Sequence, residues 1–321
     1  MTSTLPTDVQ HVFERFITTE YTTIDATGQP ITWPVTPYYR VGDGAIDLTT
    51  GLGYPKKAED AARNPQVSLL FSDPTGSGLD EPCAVLVQGT AEVDDRNLVA
   101  NRERYARESL EKLPATKSMY PPKLIRGMFD WYFTRIYVYV RPERVYLWEK
   151  GDFSRAPQLF DSHIEEVRSA HSEEPPVAPV SPEGGPVKWD ARMDELGRRH
   201  RTAVLTVVGP DGFPMSCRLD IEPDRERERI RLGPLPEWLP ATTAKACLCA
   251  HAHEPQFRWQ TNFQVRGDLV ADGDGWSLVP HRVIGGFELP DGKLAAYREN
   301  FKKMLRFRKI AKRELARRRG V

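Results

Sequence analysis

The sequence predicts a mostly β protein: two small antiparallel barrels in tandem, with peripheral helices and a basic helix at the C-terminal end. Three observations predict it. Short strand-like runs recur between Gly and Pro turns through both halves of the 321 residues. The segment HSEEPPVAPVSPEGGPVKW, rich in Pro, Glu and Gly, divides the chain nearly in half and reads as a linker. The order of elements in the first half then returns in the second.

Helical spacing at Val9, Val12, Phe13, Phe16 and Ile17 opens the fold. YTTIDATGQPITWPVTPYYR reads as a hairpin turning at Gly28, and AIDLTT as a third strand. YPKKAEDAARNP is a short helix with an Asn-Pro stop, followed by the strand QVSLLFSD. AVLVQGTAEV is a further strand, residues 96–112 a charged helix, and RIYVYVRPERVYLW a strand pair broken at Pro142. In the second half TAVLTVVGPDGFPMSCRLDIE answers the hairpin and RIRLGPL answers AIDLTTG. KACLCAHAHE answers QVSLLFSD, and TNFQVRGDLVAD answers AVLVQGTAEV. The expected boundaries are 1–167 for a cofactor-binding barrel, 168–187 for the linker, 188–290 for a degenerate second barrel and 291–321 for a basic amphipathic helix.

Lys+Arg and Asp+Glu both total 45, a zero balance that argues against a general nucleic-acid binder. The charge is uneven: Lys293–Val321 holds twelve Lys/Arg against two Glu. Apolar spacing at Phe301, Met304, Leu305, Ile310 and Leu315 gives that helix one face to dock on the acidic body. It has no aromatic platform for nucleic acid. Four cysteines form no dense framework, and neither a signal-like region nor a membrane-length apolar run occurs. These features predict a cytoplasmic protein with reduced thiols and no membrane contact.

The candidate site is the stretch TTGLGYPKKAED. Lys56 and Lys57 open a helix where the backbone dipole is already positive, an unfavourable place for a cation unless an anion lies there. Thr49 and Thr50 offer hydroxyls, Gly51 and Gly53 permit close approach to the backbone, and the set describes a phosphate cradle. A surface turn with two solvated lysines is the other reading of the same residues.

KAEDAARNPQVSLLF resembles the FMN-phosphate segment of the pyridoxamine 5′-phosphate oxidase family, with Lys57, Asn64, Pro65 and Phe71 on the family's pattern. VQGTAEV resembles the strand that follows it. VRPERVYLWEKGDFSR resembles the family's C-terminal strand pair, through Pro142, Trp148, Gly151 and Arg155. The resemblance covers roughly residues 10–160 and implies a split β-barrel that binds FMN or the deazaflavin F420; some relatives handle haem. It implies that Trp33, Pro34, Val35 and Thr36 face the isoalloxazine ring and that Trp148 lies near it, although both tryptophans also suit barrel packing. The oxidase's Arg is missing from ITWPVTPYY, and its Arg-Gln pair from EPCAVLV. The deazaflavin branch's Lys-x-Arg-Asn reads Lys57-Ala58-Glu59-Asp60, so the choice of flavin stays open, with Arg63 as a second positive charge. Relatives bind flavin between two barrels of a homodimer. A tandem chain forms that pair internally, or else two chains pair through their first barrels.

The second copy reads GPLPEWLPATTA where the first has its lysines, and carries no Lys or Arg there. One site per pair of barrels is therefore expected. Cys247, Cys249, His251 and His253 would share one face of a strand, where Cys249, His251 and His253 are metal candidates and a His is a haem candidate. Two buried thiols running out to polar His is the alternative. No Ser-His-Asp set or carboxylate pair stands out, which suits chemistry carried by a cofactor. The expected function is a flavin-dependent oxidoreductase acting on a small organic molecule; the alternative is a non-catalytic carrier of flavin, haem or metal.

Overall fold

The computed structural model describes residues 5–114, 117, 130–161, 189–286 and 293–319. The linker expected at 168–187 lies outside them. Helix α1 (Thr7–Arg15) precedes β1 (Thr19–Ile24), β2 (Pro30–Val35), β3 (Tyr38–Tyr39) and β4 (Ile46–Gly51). Then come α2 (Lys56–Arg63), β5 (Gln66–Phe71), β6 (Ala84–Asp94), α3 (Leu98–Lys112), α4 (Asp130–Phe133), β7 (Arg135–Trp148) and β8 (Gln158–Asp161). The second half holds β9 (Thr202–Val208), β10 (Pro214–Asp224), β11 (Arg229–Leu232), β12 (Ala244–His253), β13 (Gln260–Asp272) and β14 (Gly275–Gly285), before α5 (Lys293–Arg319).

The second set of strands closes into a barrel in the order β10-β11-β14-β13-β12-β9. The first forms a sheet in the order β2-β1-β5-β6-β7-β4-β3, with β8 on β7. The two orders match if β2 and β3 together stand for β10. Where β10 runs on as one strand, the first half inserts Thr36-Pro37, and Pro37 has no N–H to continue a ladder. β2 therefore bonds β1 while β3 bonds β4.

Both copies carry the same bulge. The β6–β7 register slips at Gly89, opposite Pro142, and the β13–β14 register slips at Gly267, opposite Pro280. A Cβ on Gly89 would run into the Arg141 carbonyl, and one on Gly267 into the Val279 carbonyl. Only glycine permits this close crossing of strands. The sequence predicted a break at Pro142; instead β7 is continuous from Arg135 to Trp148, because the extra residue at the bulge absorbs the proline.

Local chemistry sets the helix ends. Asn64 ends α2 in an extended conformation, as the residue before Pro65 should. Asn97 caps α3, its side chain accepting from Ala100 N at 3.0 Å, so the helix starts at Leu98 rather than at 96.

One core fills the first barrel (Phe13, Phe16, Leu48, Leu69, Phe71, Val87 and neighbours) and another the second (Leu205, Leu248, Phe263, Val265). A third joins them: Leu70, Ala84, Leu86 and Trp148 meet Val204 and Cys249. A buried line of hydroxyls crosses the same boundary, from Thr22 to Thr32 (2.9 Å), Thr206 (2.8 Å) and Ser216 (2.8 Å). Beside it the Glu20 carboxylate takes His251 Nε2 at 2.6 Å, Arg218 Nη2 at 2.7 Å and Ser72 Oγ at 3.0 Å. Burial works against the Glu20 carboxylate, but the His251 hydrogen bond and the Arg218 charge outweigh it and hold its pKa below the usual range.

α5 docks on the first barrel. Ala311 is buried and Leu315 packs on that core; Arg317 reaches Glu59 at 2.7 Å, and Arg318 pairs with Asp95. This is the docked, amphipathic arrangement, with one difference from the expected face: Leu305 is 49% exposed. The side chains of Phe301 and Met304 lie outside the description.

Candidate functional site

β4 delivers the chain to the loop Leu52–Pro55, and α2 leads away from it. The loop is closed from within: Thr50 Oγ1 donates to the Tyr54 carbonyl at 2.7 Å, and Tyr54 N to the Gly51 carbonyl at 2.8 Å. The Thr50 proton is thus committed to the loop, whereas Thr49 is half-buried on the opposite face of the strand.

The basic residues separate into two kinds. Lys56 Nζ lies 2.9 Å from Asp60 and 3.9 Å from Asp25, and Arg63 lies 2.5 Å from Asp60. Both share the Asp60 carboxylate through ordinary helical spacing. Lys57 has no carboxylate or hydrogen-bond partner among the described residues. Burial pushes its pKa down to about 8, and the nearby Arg135 guanidinium adds to the shift.

Arg135 was not visible as a site residue in the sequence. It opens β7 and sits opposite Gly51 in the β4–β7 register. Its Nη1 is 2.9 Å from where a Gly51 Cβ would lie, so Gly51 makes room for Arg135 rather than leaving open backbone. The guanidinium stacks on Tyr105 (4.3 Å) and Tyr132 (4.6 Å) and donates to Tyr105 Oη at 3.0 Å. Its Nε is buried with no hydrogen-bond partner among the described residues. Tyr54 Oη is likewise buried without a partner among the described residues, and burial raises its pKa. Gly53 is used in the same way as Gly51. The Phe307 Cβ lies 3.0 Å from the position of a Gly53 Cβ, and the Phe307 ring packs on Tyr54 at 4.2 Å. The loop is therefore roofed by α5.

Among the described residues, an ammonium without a counter-ion, a guanidinium N–H without a partner and a buried phenol are all donors. That donor set fits a phosphate.

The other candidates fall between the barrels. Trp33 lies against the second barrel, 2.9 Å from where a Gly286 Cβ would be, at a point also crowded by Asn262. Thr32 O accepts from Gln264 Nε2 at 3.4 Å, and Pro34, Val35 and Thr36 are half-buried. The second barrel thus walls the strand that the resemblance sets beside the ring. Trp148 is 1% exposed, packed on Phe153 (5.0 Å) and Trp238 (4.8 Å), with its Nε1 donating to Arg155 O. It is core rather than a surface for a ligand. Cys249 lies in the apolar cluster between the barrels. His251 is engaged by Glu20, and His253 Nε2 lies 3.2 Å from Thr18 Oγ1. Among the described residues no three His, Cys, Asp or Glu are grouped to hold a metal ion.

No family model and no curated protein matches the chain. Solved structures do. A conserved hypothetical protein from Mycobacterium tuberculosis is 22% identical, over 46% of this chain and 86% of that one, with a TM-score of 0.35. A pyridoxamine 5′-phosphate oxidase-related, FMN-binding protein from Nostoc punctiforme is 14% identical over 46% and 86%, with a TM-score of 0.33. An F420 reductase is 17% identical over 42% and 94%, with a TM-score of 0.31. Among the described residues no helix is long and apolar enough to cross a membrane.

Proposed function

We propose that the chain is a flavin-dependent oxidoreductase that passes hydride to or from a small organic molecule, using FMN or the deazaflavin F420. The observation that carries this reading is Lys57: it lies on the residues that resemble a flavin-phosphate segment, and it has no counter-ion among the described residues. When bound, the flavin supplies the hydride chemistry. The protein's part is to hold and shield it. Lys57 and Thr49 donate to the phosphate. The strand from Trp33 to Thr36, walled by β12 and β13, keeps water from the ring. The first barrel would be the cofactor-binding unit and the second its wall, within one chain.

The test is a titration of the apo-protein with FMN and with F420, repeated on Lys57→Ala. Loss of one charge-assisted hydrogen-bonding group should weaken binding by about 10–100-fold with the thermal transition retained. Unchanged affinity would overturn the assignment of the site.

A further inference from the structure

We propose that the outward face of α5 is a contact surface for anionic lipid headgroups, holding the protein against a bilayer without entering it. This face lies away from the loop before α2, and the inference does not depend on the flavin reading.

The two sides of α5 have different surroundings. At about 100° per residue, Phe307, Ala311, Leu315 and Arg318 fall on one side of the helix. Ala311 is buried, Leu315 packs on the core of the first barrel, Phe307 packs on Tyr54 at 4.2 Å, and Arg318 pairs with Asp95. Leu305, Arg306, Lys309, Lys312, Arg313 and Ala316 fall in an arc of about 120° on the opposite side, and every one of them is exposed. Docking of the first side on the barrel therefore holds the basic side outward.

The cations of this region divide along the same line. Towards α2 and the barrel, Lys56 and Arg63 share Asp60, Arg317 reaches Glu59 and Glu314, and Arg318 reaches Asp95. On the outward arc, Arg306, Lys309, Lys312 and Arg313 have no ion pair or hydrogen bond among the described residues, and neither has half-buried Arg308 at its edge. Lys309 stands three residues from Arg306 and Lys312 and four from Arg313, spacings at which like charges repel. The arrangement costs the helix stability and concentrates positive potential on one strip, which suits a negatively charged surface.

Leu305 selects among such surfaces. It is 49% exposed amid the cations, and with Ala316 it sets apolar atoms along the middle of the arc. A phosphodiester backbone gives that side chain no partner, and the arc carries no ring on which a base could stack. The strip is about 10 Å long and one helix wide, far short of the roughly 800 Å² per partner that a stable protein interface buries. A headgroup layer offers phosphates to Lys and Arg, and the acyl boundary beneath them to a leucine. The expectation of no membrane contact rests on the lack of an apolar span, and contact at the surface needs none.

The experiment sediments the full-length protein with vesicles of phosphatidylcholine, alone or with about 30 mol % phosphatidylglycerol, and titrates it in parallel with a DNA duplex of about 20 base pairs. The acidic vesicles should bind the protein and the neutral ones should not, and raising salt from about 0.1 M to about 0.5 M should release it. Lys309→Ala and Arg313→Ala should each weaken vesicle binding about fivefold and together about 25-fold; Leu305→Ala should weaken it about threefold. These side chains are exposed, so the thermal transition should be retained in all of them. Vesicle binding that ignores lipid charge, that survives the double variant, or that is missing at low salt would overturn the proposal. A duplex bound more tightly than the acidic vesicles, with Leu305→Ala without effect, would give the face to nucleic acid instead. A dimer that the double variant abolishes, with no vesicle bound, would give it to a second copy of the chain.

Discussion

The two barrels share a strand order and a bulge, yet they use the same loop position in opposite ways. In the first barrel the loop after β4 leads into α2, whose Lys57 has no counter-ion among the described residues and lies near Arg135. In the second, the loop after β11 is plugged: Leu239 is buried, Leu235 packs on the core, and Trp238 lies against Trp148 with its Nε1 donating to Phe153 O at 2.8 Å. The frame decides where a ligand loop sits. The residues of the loop decide whether it leads to a lysine without a counter-ion among the described residues, as after β4, or is filled from within, as after β11.

The largest effect is expected where the copies meet. Glu20 is the carboxylate for both Arg218 and His251, so Glu20→Ala leaves buried charge uncompensated and should cost about 3–5 kcal/mol. Thermal unfolding measures it, and a loss under about 1 kcal/mol would mean that the pairing of the barrels does not depend on this network. Glu20 and Asp73 both have folded pKa values held below their usual ones. A depressed carboxylate stabilises the fold above its unfolded pKa of about 4, and that contribution is lost as pH falls through the folded value. Stability should therefore drop on acidification below about pH 4, and Glu20→Gln should flatten the drop.

Gly89→Ala and Gly267→Ala test whether the shared bulge is also shared in energy. Each drives a methyl group into a facing carbonyl, and each should destabilise by about 1–3 kcal/mol. A large difference between the two would show that only one copy still depends on the crossing.

The smallest effect concerns the loop that distinguishes the barrels. With the Lys57 pKa lowered to about 8, its charge is present at pH 7 and fades as pH rises past that value in the free protein. FMN affinity should weaken above about pH 8, and Lys57→Arg, whose guanidinium stays charged, should remove that limb. A titration series from pH 6.5 to about 9.5 measures it; the same slope in Lys57→Arg would place the titrating group elsewhere.

Much of the frame was legible because its signals are local. Gly turns, the Asn64-Pro65 stop and the repeated strand runs each depend on a few neighbouring residues. The candidate site was legible only in part. Lys57 stood out by its position on α2, but Arg135 is nearly eighty residues away and reaches the loop through the β4–β7 register. Lys56 and Arg63 resemble Lys57 in sequence and differ from it only in having Asp60 within reach. Glu20, Arg218 and His251 lie on three different strands, and only the closed fold brings them together. The Pro142 break was misread because a bulge needs a Gly on the partner strand, and nothing near Pro142 in sequence announces Gly89.

The Glu20–Arg218–His251 contact has a further consequence. In a two-fold homodimer every contact across the boundary occurs twice, so a change on one side is forced on the other. Here Glu20 comes from one copy, Arg218 and His251 from the other, and the contact is made once. Each side is free to drift without dragging a symmetry mate with it. The halves are also tethered, so their meeting is governed by effective concentration and dilution does not part them.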